Sequence, residues 1–359
     1  MSGRVIVVGS VNIDFVARVP HLPHPGETVT GGSYDRHHGG KGGNQAVAAS
    51  RLRRPTLFIG AVGDDTFEVE ARRALLAERV DVSMVASLPG QPTGVALILV
   101  DAAGENQIAV IPGANGAIDA GYVRECLGRL GRLTGDVVLV CNEVPLHVVR
   151  EALVCAHAAG ATTVLNPAPA TGIGRSVFSL ADIITPNRSE LSMLLQTEAR
   201  QTGRGTDASG EIPVRARQLI DRGPDGPGVR KAVIVTLGAS GVVVLERIGS
   251  GLEGAAASKG EISHQAKTAT AAIALAGTAS GDAEGIRVWE VPAELVATVD
   301  STGAGDAFNG ALAAAIAEGR SLAEAVQRAV AAGALATTHV GAREGMPTAL
   351  ELEEFLATR

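Results

Sequence analysis

Short β-branched runs recur along the chain at Val5 to Val8, Leu57 to Ile59, Val137 to Val140, Thr163 to Leu165, Ile183 to Thr185 and Val233 to Thr236. Helical patterns such as Phe67 to Glu78, Tyr122 to Leu133 and Leu146 to Ala158 lie between many of them. This alternation constrains the fold more than any other feature. Strands joined through helices lie parallel, and a parallel sheet needs apolar cover on both faces. The expected fold class is α/β: a three-layer, doubly wound, mostly parallel central sheet flanked by helices.

Two segments break the rhythm. Asn12 to Gly32, and Val95 to Val100 followed by Gln107 to Ile111, read as extended pieces with turns at Pro25-Gly26 and Ala103-Gly104,. Together they predict a small sheet outside the main layer. The C-terminal third reads as helical, with capping boxes at Ser321/Glu324 and Thr348/Glu351 and a helix stop at Gly319,. Arg200 to Gly210 and Ile248 to Gly285 are rich in Gly, Ala, Ser and Thr without apolar periodicity, so both are expected to be surface insertions, with Ala266 to Ala279 a loop,.

Composition narrows the function classes. The 359 residues are 46% hydrophobic with a formal net charge of -7, so the chain lacks the basic surface that nucleic acid would require. Cys126, Cys141 and Cys155 are odd in number and not closely paired, which points away from zinc and disulfides and toward buried thiols in a reducing cytoplasm,. Neither the run at Val5 nor the stretch at Ala266 is long and apolar enough for a signal peptide or membrane span, so no membrane partner is expected,.

The strongest chemical feature is Val299-Asp300-Ser301-Thr302-Gly303-Ala304-Gly305-Asp306, which opens the helical run Ala307 to Ala317. Gly303, Ala304 and Gly305 leave backbone N–H groups bare at a helix N-terminus, where they can converge on an anion. Asp306, in the first turn, is placed to accept a hydroxyl proton as that oxygen attacks phosphorus. No Gly-x-x-x-x-Gly-Lys-Ser/Thr and no strand-anchored Gly-x-Gly-x-x-Gly occurs, so phosphate handling by the commonest loops is unsupported,.

A second glycine-rich helix start is Gly39-Gly40-Lys41-Gly42-Gly43-Asn44-Gln45, ahead of an apolar helix Ala46 to Leu52. Its glycines allow close approach of a ligand, and Lys41 and Asn44 offer donors to sugar hydroxyls. Asn12 and Asp14, two residues apart, share a face and form a pair suited to vicinal hydroxyls. Glu143 and Asn166 follow strands at the carboxyl ends, where open α/β sheets place ligands. Asn187 and Glu190 follow a third, and could hold magnesium-bound phosphate through water. Each of these, alone, reads more readily as a cap or turn residue; their recurrence at strand ends is the argument.

These segments resemble those of the PfkB sugar kinases. Gly9-Ser10-Val11-Asn12-Ile13-Asp14, Pro25-Gly26-Glu27-Thr28, Gly39 to Ala46, Thr93-Gly94-Val95-Ala96, Gly113-Ala114-Asn115, Asn166-Pro167-Ala168-Pro169, Thr185-Pro186-Asn187, Thr236-Leu237-Gly238 and Asp300 to Asp306 occur in the family's order. The likeness spans nearly the whole chain. It implies one kinase domain over 1–359, with a lid from about 12–38 and 93–112 and low-complexity insertions at about 200–212 and 248–286.

By resemblance, the activity is ATP-dependent phosphorylation of D-ribose at the 5-hydroxyl, because the Gly-Gly-Lys-Gly-x-Asn-Gln segment favours ribose. A PfkB kinase acting on 2-deoxyribose or a nucleoside is the alternative, and a sugar-binding regulator without turnover is a different class, against which Asp306 with both glycines argues. Asn12, Asp14, Gly40, Lys41, Asn44 and Glu143 would contact the sugar. Asp306 would be the base, with Gly303 to Gly305 the anion hole. Asn187 and Thr236, Leu237, Gly238, Ala239, Ser240 and Gly241 would line the ATP site, which Gly305 and Asp306 also reach. Mg2+ would accompany ATP, with Glu190 reaching it through water, and K+ would bind at Asp300, Thr302, Ala336, His339, Gly341 and Gly345. Relatives that act on ribose commonly carry serine at the last position, whereas Gly345 leaves that contact to backbone or water. The lid implies a homodimer, and the 248–286 stretch, longer than the family's hairpin, would lie near the nucleotide.

Overall fold

The computed structural model describes residues 3–202, 210–221, 227–249, 252, 280–281 and 285–358. Fourteen strands among them form two sheets: β1 (Val5–Val8), β2 (Asn12–Arg18), β3 (Ser33–Gly39), β4 (Thr56–Gly63), β5 (Val80–Leu88), β6 (Gly94–Val100), β7 (Asn106–Ile111), β8 (Val137–Cys141), β9 (Thr162–Asn166), β10 (Ile183–Ile184), β11 (Ala232–Thr236), β12 (Val242–Arg247), β13 (Ser280–Gly281) and β14 (Ile286–Val291). The large sheet has ten strands in the order β13-β14-β12-β11-β10-β9-β8-β1-β4-β5. From β11 to β5 every pairing is parallel. The chain order reverses direction in the sheet at β1, the switch point at which this class of sheet opens a crevice.

Period-two geometry explains why the predicted strands read as unbroken apolar runs. Val5 and Val7, with Val137 and Leu139, face one buried cluster, while Ile6 and Val8, with Val138 and Val140, face the other,. Helices Lys41–Arg51, Ala304–Ala317 and Leu322–Ala336 cover the first face; helices Ala120–Leu130, Leu146–Ala158, Arg188–Thr202 and Ile212–Ile220 cover the second. The three-layer α/β reading holds.

The smaller sheet is the predicted lid, in the order β3-β2-β6-β7. It rests on the body through Phe15, whose ring meets Phe67 edge-on at 5.8 Å, and through an Arg36–Glu70 ion pair at 3.2 Å. Both capping boxes are present, at Ser321/Glu324 and Thr348/Glu351. Gly319, at φ 83°, ends its helix as expected,.

Several boundaries differ from the sequence reading. The first helix begins at Lys41 rather than Ala46, and the C-terminal one at Ala304 rather than Ala307, because glycines at a helix start do not delay it when neighbouring structure fixes their backbone,. Strand β5 was not expected, and β12 to β14 add an antiparallel end to the sheet. Ser280–Gly281 therefore pair as a strand inside the span read as insertion, and the helix ending at Thr202 takes up the start of the other span. Ala266 to Ala279 and 203–209 lie outside the described residues. Cys126 and Cys141 are buried as expected, but Cys155 is only half-buried, its Sγ 3.1 Å from Glu151 Oε1.

Candidate active site

Two helix starts meet over the carboxyl ends of the central strands. Helix Lys41–Arg51 and helix Ala304–Ala317 pack so closely that a Cβ on Gly310 would lie 2.7 Å from the Gln45 carbonyl oxygen. That approach delivers Asn44 and Gln45 to Asp306, which is 7% exposed. Asn44 Nδ2 donates to Asp306 Oδ2 at 3.0 Å, and Gln45 Nε2 donates to Oδ1 at 3.0 Å and to Asn166 Oδ1 at 3.0 Å. Both carboxylate oxygens therefore accept from side-chain amides, which fixes the orientation of the carboxylate.

Gly303 precedes this helix in the left-handed region, φ 77°, pressed against Ala342, whose Cα a Cβ would approach to 2.8 Å. Gly305 is different: a Cβ there would meet nothing within 4 Å. The amides of Gly305 and Asp306 have no hydrogen-bond partner among the described residues, as the first turn of a helix dictates,. Bare N–H groups and a buried carboxylate thus share one small region.

Glu143, just past β8, faces the other helix start. Its Oε2 accepts from Lys41 N at 2.9 Å and from Ser10 Oγ at 2.5 Å. The negative charge of Asp306, helped by Glu143 and opposed by burial, holds the Lys41 ammonium above the usual lysine range. Lys41 therefore stays charged. On the lid, Asn12 and Asp14 share a face of β2, as read from their spacing,. Asn12 Oδ1 accepts from Asn115 Nδ2 at 2.8 Å, while Asn115 also brackets the backbone of Val11. The Asp14 carboxylate lies against the Cα of Gly39, with Oδ1 buried and unpartnered among the described residues. Burial raises its carboxyl to about 6, with Glu143 and Asp306 adding to the rise and Arg343 opposing it.

The strand ends to the other side carry the residues expected near ATP. Asn187 and Glu190 cap one helix reciprocally, Asn187 N to Glu190 Oε2 at 2.8 Å and Glu190 N to Asn187 Oδ1 at 2.8 Å,. Burial raises the Glu190 carboxyl; the Asn187 amide and Lys41 oppose this, and Asp306 adds to it. Asn187 bridges to Thr236, and Leu237 N closes on Gly241 O at 2.8 Å around the turn Gly238–Ser240. Ala239 and Ser240 ride on that exposed turn.

The expected cation segments also meet. Asp300 Oδ1 accepts from Thr302 N at 2.9 Å and Thr302 Oγ1 at 2.6 Å, and Oδ2 accepts from Gly341 N at 2.9 Å. Burial pulls the Asp300 carboxyl up, but these donors outweigh it and hold it below the usual range. The carbonyl oxygens of Ala336 and Gly341 press on Gly345 so closely that a Cβ there would collide with Ala336 O. Backbone oxygens thus crowd the position where a side-chain oxygen had been missed from the sequence. The His339 ring turns elsewhere, toward Thr338 Oγ1 at 2.9 Å, and lines a cavity of about 420 Å³ against the C-terminal helix.

Four polar residues at this site were given no role from the sequence. Ser10, Gln45 and Asn115 sat inside quoted segments, where their partners were invisible. Arg343 had no motif at all, yet it lies buried between the helix starts and the lid, Nε to Asn44 Oδ1 at 3.0 Å and Nη2 to Gly39 O at 2.9 Å. Its burial pushes the guanidinium down to about 10, against the pull of Asp14.

A parallel sheet with a β-lid, a buried carboxylate and bare helix-start amides at its edge is the frame of a sugar kinase. The family model for pfkB family carbohydrate kinases matches residues 2–283 and 253–349, and the chain belongs to that family. Among its relatives, the ribokinase of Schizosaccharomyces pombe is 33% identical over 98% of this chain and 96% of its own. The ribokinase of Haemophilus influenzae is 33% identical over 99% of each. The structure of Arabidopsis thaliana ribokinase, complexed with ribose and ATP, superposes with a TM-score of 0.73 at 26% identity, covering 99% of each chain. Among the described residues no helix is long and apolar enough to cross a membrane.

Proposed function

We propose that this chain transfers the γ-phosphoryl group of ATP to the 5-hydroxyl of D-ribose, giving ribose 5-phosphate and ADP. The observation that carries the reading is the Asp306 carboxylate, held between Asn44 and Gln45 amides beside the free N–H groups of its own helix start. Asp306 takes the proton of the attacking hydroxyl, while the amides of the Gly303–Gly305 turn meet the charge that gathers on the migrating phosphoryl oxygens. Asn12, Asp14, Gly40, Lys41, Asn44 and Glu143 orient the sugar, with the unpartnered Asp14 Oδ1 an acceptor for a sugar hydroxyl. The relatives named as ribokinases support ribose as the acceptor.

Asn187, Thr236 and the turn through Gly241 hold the nucleotide. Magnesium bound with ATP would neutralise phosphate charge, with Glu190 contacting its water shell. The carboxylate of Asp300 and the carbonyls crowded round Gly345 are hard oxygen donors that fit a potassium ion; Thr302, Ala336, His339, Gly341 and Gly345 complete the set through their backbones. Such an ion would supply positive charge behind the anion hole.

Two copies pair through the lid in this reading. Strand β7 is an edge strand exposed along its whole length, with Ile108 and Val110 on one face and Ile111, beside Leu97 of β6, on the other, an open edge that a second lid would cover. The enzyme works in the cytoplasm and takes neither nucleic acid nor membrane as a partner.

The test is ADP release by purified chain with saturating Mg-ATP and, in turn, ribose, 2-deoxyribose, fructose and adenosine, with and without potassium. Ribose is expected to give the highest kcat/KM, and potassium to raise it. Absence of ADP with every acceptor overturns the kinase reading, and a better acceptor than ribose overturns the substrate.

A further inference from the structure

We propose that Arg343 is a positioning residue for phosphoryl transfer, acting through Asn44 to hold the Asp306 carboxylate in its working orientation. The inference rests on the kinase reading above. Arg343 stands in the loop after helix Leu322–Ala336 and is 5% exposed. Its backbone is anchored by Arg51, whose Nη1 donates to the carbonyls of Arg343 at 2.7 Å and Met346 at 2.8 Å.

The logic is one of donor and acceptor counting. A guanidinium carries only donors. Arg343 Nε, 3.0 Å from Asn44 Oδ1, therefore obliges Asn44 to turn its carbonyl toward the arginine and its NH2 away. The NH2 then falls on Asp306 Oδ2 at 3.0 Å. An amide can rotate end for end at almost no torsional cost, and reversed it would set a carbonyl oxygen against the carboxylate. Arg343 removes that alternative without touching Asp306.

Its second bond, Nη2 to Gly39 O at 2.9 Å, fixes the end of β3 where Gly39 backs the Asp14 carboxylate. One side chain thus braces the base side and the sugar side together. Gly43 makes the placement possible, because a Cβ there would run into Arg343 Nη2. Arg343 is tied through Arg51 to the first helix and lies two residues from Gly341 and from Gly345, so the brace is part of the loop that carries the expected cation ligands.

A double-mutant cycle with R343M, which keeps volume and removes the donors, and N44A tests this. The single change R343M is expected to lower kcat on the order of tenfold, as a small misplacement of a reacting group does, with KM for ATP unchanged. In the N44A background the same change is expected to cost little further, because its effect passes through Asn44. The urea midpoint of the double variant is likewise expected to fall by less than the two single falls added together. Should R343M not fold, R343K enters the cycle, since it keeps a buried cation but loses the fork. Additive losses in kcat, or a folded R343M with the wild-type kcat, overturn the positioning role while leaving the kinase intact. A wild-type chain that turns over no acceptor overturns the kinase reading and this inference with it.

Discussion

The two glycine-rich helix starts look alike in sequence and are built for opposite reasons. Both open on a glycine of positive φ, Gly40 at φ 81° and Gly303 at φ 77°. Beyond that point they diverge. Gly42 is pressed on the first strand's exit, where a Cβ would lie 2.7 Å from Ser10 N, and Gly43 makes way for Arg343. Gly305 faces open space and has an ordinary φ. Gly42 and Gly43 let protein approach protein; Gly305 keeps backbone N–H groups uncovered. The comparison teaches that a glycine motif is read by what its missing Cβ would have met.

The largest expected effect falls on the uncovered start. D306N should lower kcat by a factor on the order of a hundred or more, because the proton acceptor is lost, and should lower the melting temperature by a few degrees, because the new NH2 would face the NH2 of Asn44 or Gln45,. Steady-state kinetics beside a thermal melt checks both halves; an equally active variant removes Asp306 from the mechanism.

The packed start should respond in stability instead. G42A is expected to lose about 2 kcal/mol or more, since the clash is with fixed backbone, measured as a fall in urea midpoint. G305A should do the reverse: kcat falls on the order of tenfold as the Cβ covers the anion hole, while stability stays level or rises by about 0.5 kcal/mol from the better helix residue. If G42A costs activity alone, or G305A costs stability, the contrast between the two starts is broken.

The smallest effect sharpens the lid side. Asp14, raised from 3.8 to about 6, is an acid whose folded value lies above its unfolded one. Its ionisation therefore costs stability, a cost absent below about pH 4, growing through pH 6 and complete above it. D14N should melt a degree or two above the wild type at pH 7.5, with the gain vanishing toward pH 4, while the KM for ribose rises severalfold. A gain that persists at pH 4 contradicts the assignment of that burial cost to the charge.

The sequence made the fold legible where burial is symmetrical. Runs such as Val137–Val140 are apolar on both faces, and both capping boxes have fixed spacing. It was silent about β5, an edge strand whose polar Asp81, Ser83 and Ser87 dilute the apolar signal on the open face. The β12 to β14 end was hidden by the low-complexity span between its strands. Within the site, Asp306, Lys41 and Glu143 announced themselves through glycines and strand ends. Arg343 did not, because its meaning lies in contacts with Gly39 and Asn44, about 300 residues away in the chain. For His339 the chain position was legible, but not that its ring lines the cavity against the C-terminal helix.

The most direct measurement is the identity of the product formed from ribose and Mg-ATP, followed by phosphorus and carbon NMR with the D306N variant in parallel. The account predicts ribose 5-phosphate and stoichiometric ADP from the wild-type chain and a rate at least a hundredfold lower from the variant. Phosphate on any other ribose oxygen, or equal rates from the two chains, would contradict it.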